Sequence, residues 1–119
     1  MKRILLIDDD PELLDVLSHV LSQAGYQVAT AADGRQASAL YRSHTPDIVI
    51  TDIYMPDRDG LEALMELRRD FPRVKVIAMS GGISNQEMLQ VASALGASRT
   101  LAKPFEPAEL LSAVAQLAA

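Results

Sequence analysis

The stretch Arg3-Ile4-Leu5-Leu6-Ile7-Asp8-Asp9-Asp10-Pro11-Glu12-Leu13-Leu14 decides how this chain is read. Four consecutive apolar residues without alternation describe a short strand covered on both faces, the kind found in parallel sheets flanked by helices. An acidic triplet ends the run. Asp10 then predicts a helix N-cap, with Pro11 in the first turn, where a missing N–H costs nothing. The helix carries Leu13, Leu14, Leu17, Val20 and Leu21 on one face, and Gly25 is placed to stop it.

Working outward, the same alternation recurs to the end of the chain. Short apolar runs predict strands at Arg3 to Ile7, Gln27 to Thr30, Ile48 to Thr51, Lys75 to Met79 and Arg99 to Ala102. Helices are predicted after each: Pro11 onward, Asp33 to Ser43, Gly60 to Asp70, a fourth opening on the capping box Ser84-Asn85-Gln86-Glu87 and ending near Gly96, and a fifth opening at Glu106-Pro107. Five βα units make a doubly wound parallel sheet with helices on both faces, an α/β fold. Residues 1–119 read as one domain, without linker or low-complexity segment.

Composition excludes several function classes. The chain has 119 residues, 11 basic against 16 acidic, a net charge of −5, and no cysteine. Thiolate metal sites, disulfides and cysteine nucleophiles are therefore out. A pI near 4.8 argues against direct binding of nucleic acid, whose phosphates attract concentrated Lys and Arg. The longest apolar runs have four residues, far short of the roughly 20 needed to span a bilayer. No membrane association is expected, and the N-terminus lacks the pattern of a secretion signal, so a cytoplasmic location is expected.

In an open parallel sheet, ligands bind beyond the carboxyl ends of the strands. Polar residues fall there on four of the five: Asp8, Asp9 and Asp10 after the first strand, Asp52 after the third, Ser80 after the fourth and Lys103 after the fifth. Three clustered carboxylates repel by about 4 kcal/mol per pair at roughly 4 Å and an effective dielectric near 20, which calls for a cation. Oxygen donors without Cys or a suitably spaced His favour Mg²⁺ or Mn²⁺ over zinc. Lys103 is expected on the far side of the site as a second positive charge, with Ser80 as a hydroxyl donor, around a transferring phosphoryl group. Asp52 is left as the nucleophile, since an ionised carboxylate attacks phosphorus without a general base. Taken singly, an acidic loop, a Lys before Pro and a Ser after a strand are ordinary surface and turn chemistry. Their coincidence at one sheet edge favours function. His19 and His44 read as surface or helix-face residues, and Met55, Met65, Met79 and Met88 as core filler.

The order Ile7-Asp8-Asp9-Asp10-Pro11, Asp52-Ile53-Tyr54-Met55-Pro56 with Asp59-Gly60, Ser80-Gly81, and Lys103-Pro104-Phe105 resembles the receiver domain of two-component response regulators, and the resemblance covers the whole chain. It implies a flavodoxin-like strand order 2-1-3-4-5. Asp52 would then be the phosphoacceptor, taking phosphate from a sensor histidine kinase or phosphotransfer protein. Asp8, Asp9, Asp52 and the backbone carbonyl of Tyr54 would hold Mg²⁺, Ser80 would be the switch hydroxyl, and a cis bond would join Lys103 to Pro104. The output would be a downstream effector protein or a fused output domain, with a phosphorylation-dependent dimer also open. Such a domain is not a turnover enzyme; it catalyses only its own phosphorylation and dephosphorylation.

Two positions depart from the family pattern. Thr100 stands at the switch position where an aromatic ring is usual, and Tyr54 is large where many relatives carry something smaller or charged. The rival readings are a magnesium-dependent phosphohydrolase and a phosphate-independent pseudo-receiver. The first resembles enzymes with a second Asp two residues past the nucleophile, where this chain has Tyr54. The second would be expected to have lost some of Asp8, Asp9, Asp52 and Lys103, and all are present.

Overall fold

The structure, a computed structural model, describes residues 2–55, 58–81 and 85–118, with the backbone alone at 34, 54, 55, 58–63 and 85–88. In chain order the elements are β1 (Arg3–Ile7), α1 (Pro11–Gln23), β2 (Gln27–Ala31), α2 (Gly34–His44), β3 (Ile48–Asp52), β4 (Tyr54–Met55), β5 (Arg58–Asp59), α3 (Gly60–Asp70), β6 (Lys75–Ser80), α4 (Asn85–Ala94), β7 (Arg99–Ala102) and α5 (Pro107–Ala118). Five strands form one sheet in the order β2-β1-β3-β6-β7, with every neighbouring pair parallel. Set aside the short β4–β5 hairpin and this is the expected order 2-1-3-4-5.

Each sheet face closes its own core. Ile4 and Leu6 join Leu14, Leu17 and Leu21 of α1 and Leu110 and Val114 of α5 on one side. Leu5 and Ile7 join Tyr41 of α2, Leu64 and Leu67 of α3 and Leu89 and Ala92 of α4 on the other. The unbroken apolar runs of β1, β3 and β6 are thus covered twice, which is why they do not alternate.

The helix ends follow their local chemistry. Asp10 caps α1 by accepting from the backbone N–H groups of Glu12 and Leu13. Gly25, at φ +99°, follows α1, and the amides of Gly25 and Tyr26 donate back to Ser22 and Leu21. Gly96, at φ +114°, follows α4 with the same pair of bonds, from Gly96 to Ser93 and from Ala97 to Ala92. Both are Schellman endings, in which the left-handed residue is a glycine because a Cβ would be strained. Ser84 and the side chains of the capping box it was read to open lie outside the described residues.

Three expectations change. β2, β3 and β6 each run one residue further than read, so Ala31, Asp52 and Ser80 are the last residues of their strands. The β4–β5 hairpin, pairing Tyr54 with Asp59 and Met55 with Arg58 antiparallel, had no strand pattern to announce it. Met65 is 53% exposed rather than core filler, whereas Met79 is fully buried; the side chains of Met55 and Met88 lie outside the described residues. A helix interior tolerates Met on either face, so residue type alone did not place it.

Candidate phosphoryl and metal site

The parallel register delivers the polar residues to one edge. Ile7 pairs with Ala31 and Thr51, Asp52 with Met79, and Ser80 with Ala102, so β1, β3, β6 and β7 end almost level. Asp8 follows β1 directly, and its amide donates to the Ala31 carbonyl at 3.1 Å. Lys103 follows β7, and its amide donates to the Ser80 carbonyl at 2.8 Å.

Asp8 is entirely buried and Asp52 nearly so, while Asp9 is exposed. One carboxylate oxygen from each of the three lies within 4.8 Å of the others. The Asp8 carboxylate accepts from the Asp10 amide at 3.0 Å through Oδ1 and from Lys103 Nζ at 2.7 Å through Oδ2. The same ammonium donates to Asp52 Oδ2 at 3.0 Å. Lys103 therefore bonds two of the three carboxylates directly. Two buried carboxylates are costly without a positive neighbour, and the long lysine stem lets its charge reach both.

The lysine responds to this setting. Burial pulls its pKa down, but its hydrogen bonds to Asp8 and Asp52 and the charge of both outweigh that, and the net shift is upward from 10.5. Among the described residues one ammonium bonds two of the three clustered carboxylates, leaving a local excess of negative charge. A compact set of hard oxygen donors with that excess fits a divalent cation such as Mg²⁺.

Ser80 is fully buried, and among the described residues its hydroxyl has no hydrogen-bond partner. A buried unpartnered hydroxyl costs on the order of 1 to 3 kcal/mol, so its presence at the site edge needs a reason. Tyr54 lies two residues past Asp52 in β4, with its side chain outside the described residues. Thr100 is on β7 opposite Ala78, half-buried and three residues from Lys103. The Lys103–Pro104 bond is cis. Gly81, quoted above only as part of the Ser80-Gly81 motif, lies against the lysine stem. No local signal could have shown a contact between residues so far apart in the chain.

Fold and site define a doubly wound domain with a carboxylate and lysine centre at the carboxyl edge of its sheet. A family model for the response regulator receiver domain matches residues 4–115, and the chain belongs to that family. It is 36% identical over 114 residues to the chemotaxis protein CheY of Thermotoga maritima, covering 95% of this chain and 94% of that one. It is 37% identical over 119 residues to the DNA-binding transcriptional regulator RpaA of Synechocystis sp., where it spans 49% of the relative's length. The solved structure of CheY4 from Vibrio cholerae matches with a TM-score of 0.88 at 33% identity, covering 98% of each chain. Receiver domains are the phosphate-accepting signalling domains of two-component systems and bind Mg²⁺ at an acidic pocket. Among the described residues, no helix is long and apolar enough to cross a membrane.

Proposed function

We propose that residues 1–119 act as one receiver unit that accepts a phosphoryl group on Asp52 from the phosphohistidine of a sensor kinase or phosphotransfer protein. The observation that carries this reading is the Lys103 ammonium shared by Asp8 and Asp52 at the strand edge where Ser80 ends β6. An oxygen of the Asp52 carboxylate forms the new P–O bond as the P–N bond of the donor breaks, and the electron pair leaves with the imidazole nitrogen. No proton has to be removed from the nucleophile. Lys103, already 3.0 Å from Asp52, would follow the negative charge onto the phosphoryl oxygens, and Ser80 would donate its hydroxyl to one of them.

Asp8, Asp9 and Asp52, with the backbone carbonyl of Tyr54, would hold Mg²⁺, which when bound neutralises the carboxylates and the phosphoryl oxygens. On this reading the domain turns over no external substrate and works in the cytoplasm, where kinases draw on ATP. Its output passes to an effector protein or an attached output domain without direct contact to nucleic acid.

The test is by mass. Incubation with acetyl phosphate and Mg²⁺ should add one phosphate to the intact chain, hydroxylamine should remove it, and Asp52→Asn should gain none. A phosphate that survives hydroxylamine, or that appears equally in Asp52→Asn, would overturn the assignment.

A further inference from the structure

We propose that Gly81 is a positioning residue for Lys103: its missing side chain sets where the lysine ammonium sits between Asp8 and Asp52. Gly81 follows β6 directly and is not among the described glycines with positive φ, Gly25 and Gly96. Its backbone therefore gives no reason for glycine. Space does. A Cβ built on Gly81 would lie 3.2 Å from Lys103 Cβ, 3.6 Å from Cδ and 3.9 Å from Cγ, and these are the three nearest atoms it would meet. The lysine stem thus runs along the bare face of Gly81 on its way to the carboxylates.

The stem has little freedom to retreat. Lys103 is held at its backbone by the 2.8 Å bond from its amide to the Ser80 carbonyl, the residue immediately before Gly81, and at its tip by Asp8 at 2.7 Å and Asp52 at 3.0 Å. A methyl group at position 81 would press on a side chain anchored at both ends. A displacement of a few tenths of an ångström must then appear as a change of stem rotamer or as longer contacts at the ammonium. Because the same carboxylates are those read as metal ligands, a lysine held less firmly competes less for them. The inference rests on the reading of Lys103 as the ammonium of the phosphoryl site.

The experiment is a double-mutant cycle on the full chain, with Mg²⁺ affinity measured by calorimetry for wild type, Gly81→Ala, Lys103→Ala and the double variant. If Gly81 acts through Lys103, Gly81→Ala tightens Mg²⁺ binding by about threefold, and the effect disappears in the Lys103→Ala background. An equal effect in both backgrounds, or none in either, overturns the proposal. A second measurement needs neither metal nor a stable Lys103→Ala variant. In metal-free protein, the NMR signals of the Lys103 Cε methylene should move in Gly81→Ala toward those of an unpaired lysine. Unchanged signals would also overturn it. Failure of the wild-type chain to accept phosphate at Asp52 would instead strike the function and leave this measurement standing.

Discussion

Lys103 Nζ lies 2.7 Å from Oδ2 of Asp8, a carboxylate with no exposed surface. The pair joins the two ends of the chain, and Asp52, 3.0 Å from the same ammonium, makes it a triad. Much of the behaviour of this site follows from one cation serving two buried anions.

Removing the cation should be felt first in stability. Breaking one partner out of a buried pair costs roughly 3 to 5 kcal/mol; with the lysine side chain 23% exposed, about 2 kcal/mol is expected for Lys103→Ala in metal-free protein. Excess Mg²⁺ should recover most of the loss by supplying the missing charge. Urea unfolding with and without Mg²⁺ checks this, and an equal loss in both conditions would mean that the stem, not the charge, matters.

The pH dependence has a definite sign. Lys103 carries a pKa raised above 10.5 in the folded protein, so above that pH the native chain binds more protons than the unfolded one. Stability contributed by the lysine is complete below 10.5, falls as pH rises through the window above it, and is gone beyond the raised value. The unfolding free-energy difference between wild type and Lys103→Met should be flat from about pH 7 to about pH 10 and shrink above that. A difference that grows with alkalinity would contradict the ion-pair account.

Asp8 and Asp9 should separate. Both are read as metal ligands, but Asp9 is exposed, whereas Asp8 is buried and already bonded to Asp10 and Lys103. Asp9→Asn should leave stability within about 0.5 kcal/mol of wild type while weakening Mg²⁺ at least about tenfold through the lost charge. Calorimetric titration decides, and unchanged affinity would remove Asp9 from the ligand set.

Thr100 should carry little of the response to phosphorylation. It is half-buried on β7 opposite Ala78, and a threonine lacks the bulk to turn a ring into the core. Ser80, drawn toward a phosphoryl group, would supply differential contacts at the start of the connection to α4. Beryllofluoride should therefore shift amide signals most between Ser80 and Met88, and Thr100→Ala should barely alter the pattern. Loss of the shifts in that variant would show that threonine carries the switch.

The sequence by itself determined the five βα units, the Asp10 cap, the glycine endings and the gathering of Asp8, Asp52, Ser80 and Lys103 at one edge. These depend on local period, on cap chemistry and on the rule that parallel strands present their carboxyl ends together. Only the tertiary structure decided which charges meet. Lys103 is 95 residues from Asp8, and its choice of partner depends on the register of four strands and on a glycine that leaves room for its stem. Likewise, the burial of Ser80 and the exposure of Met65 are properties of packing. Residue type states what a side chain can do, but its neighbours, brought from distant parts of the chain, set which of those possibilities is realised.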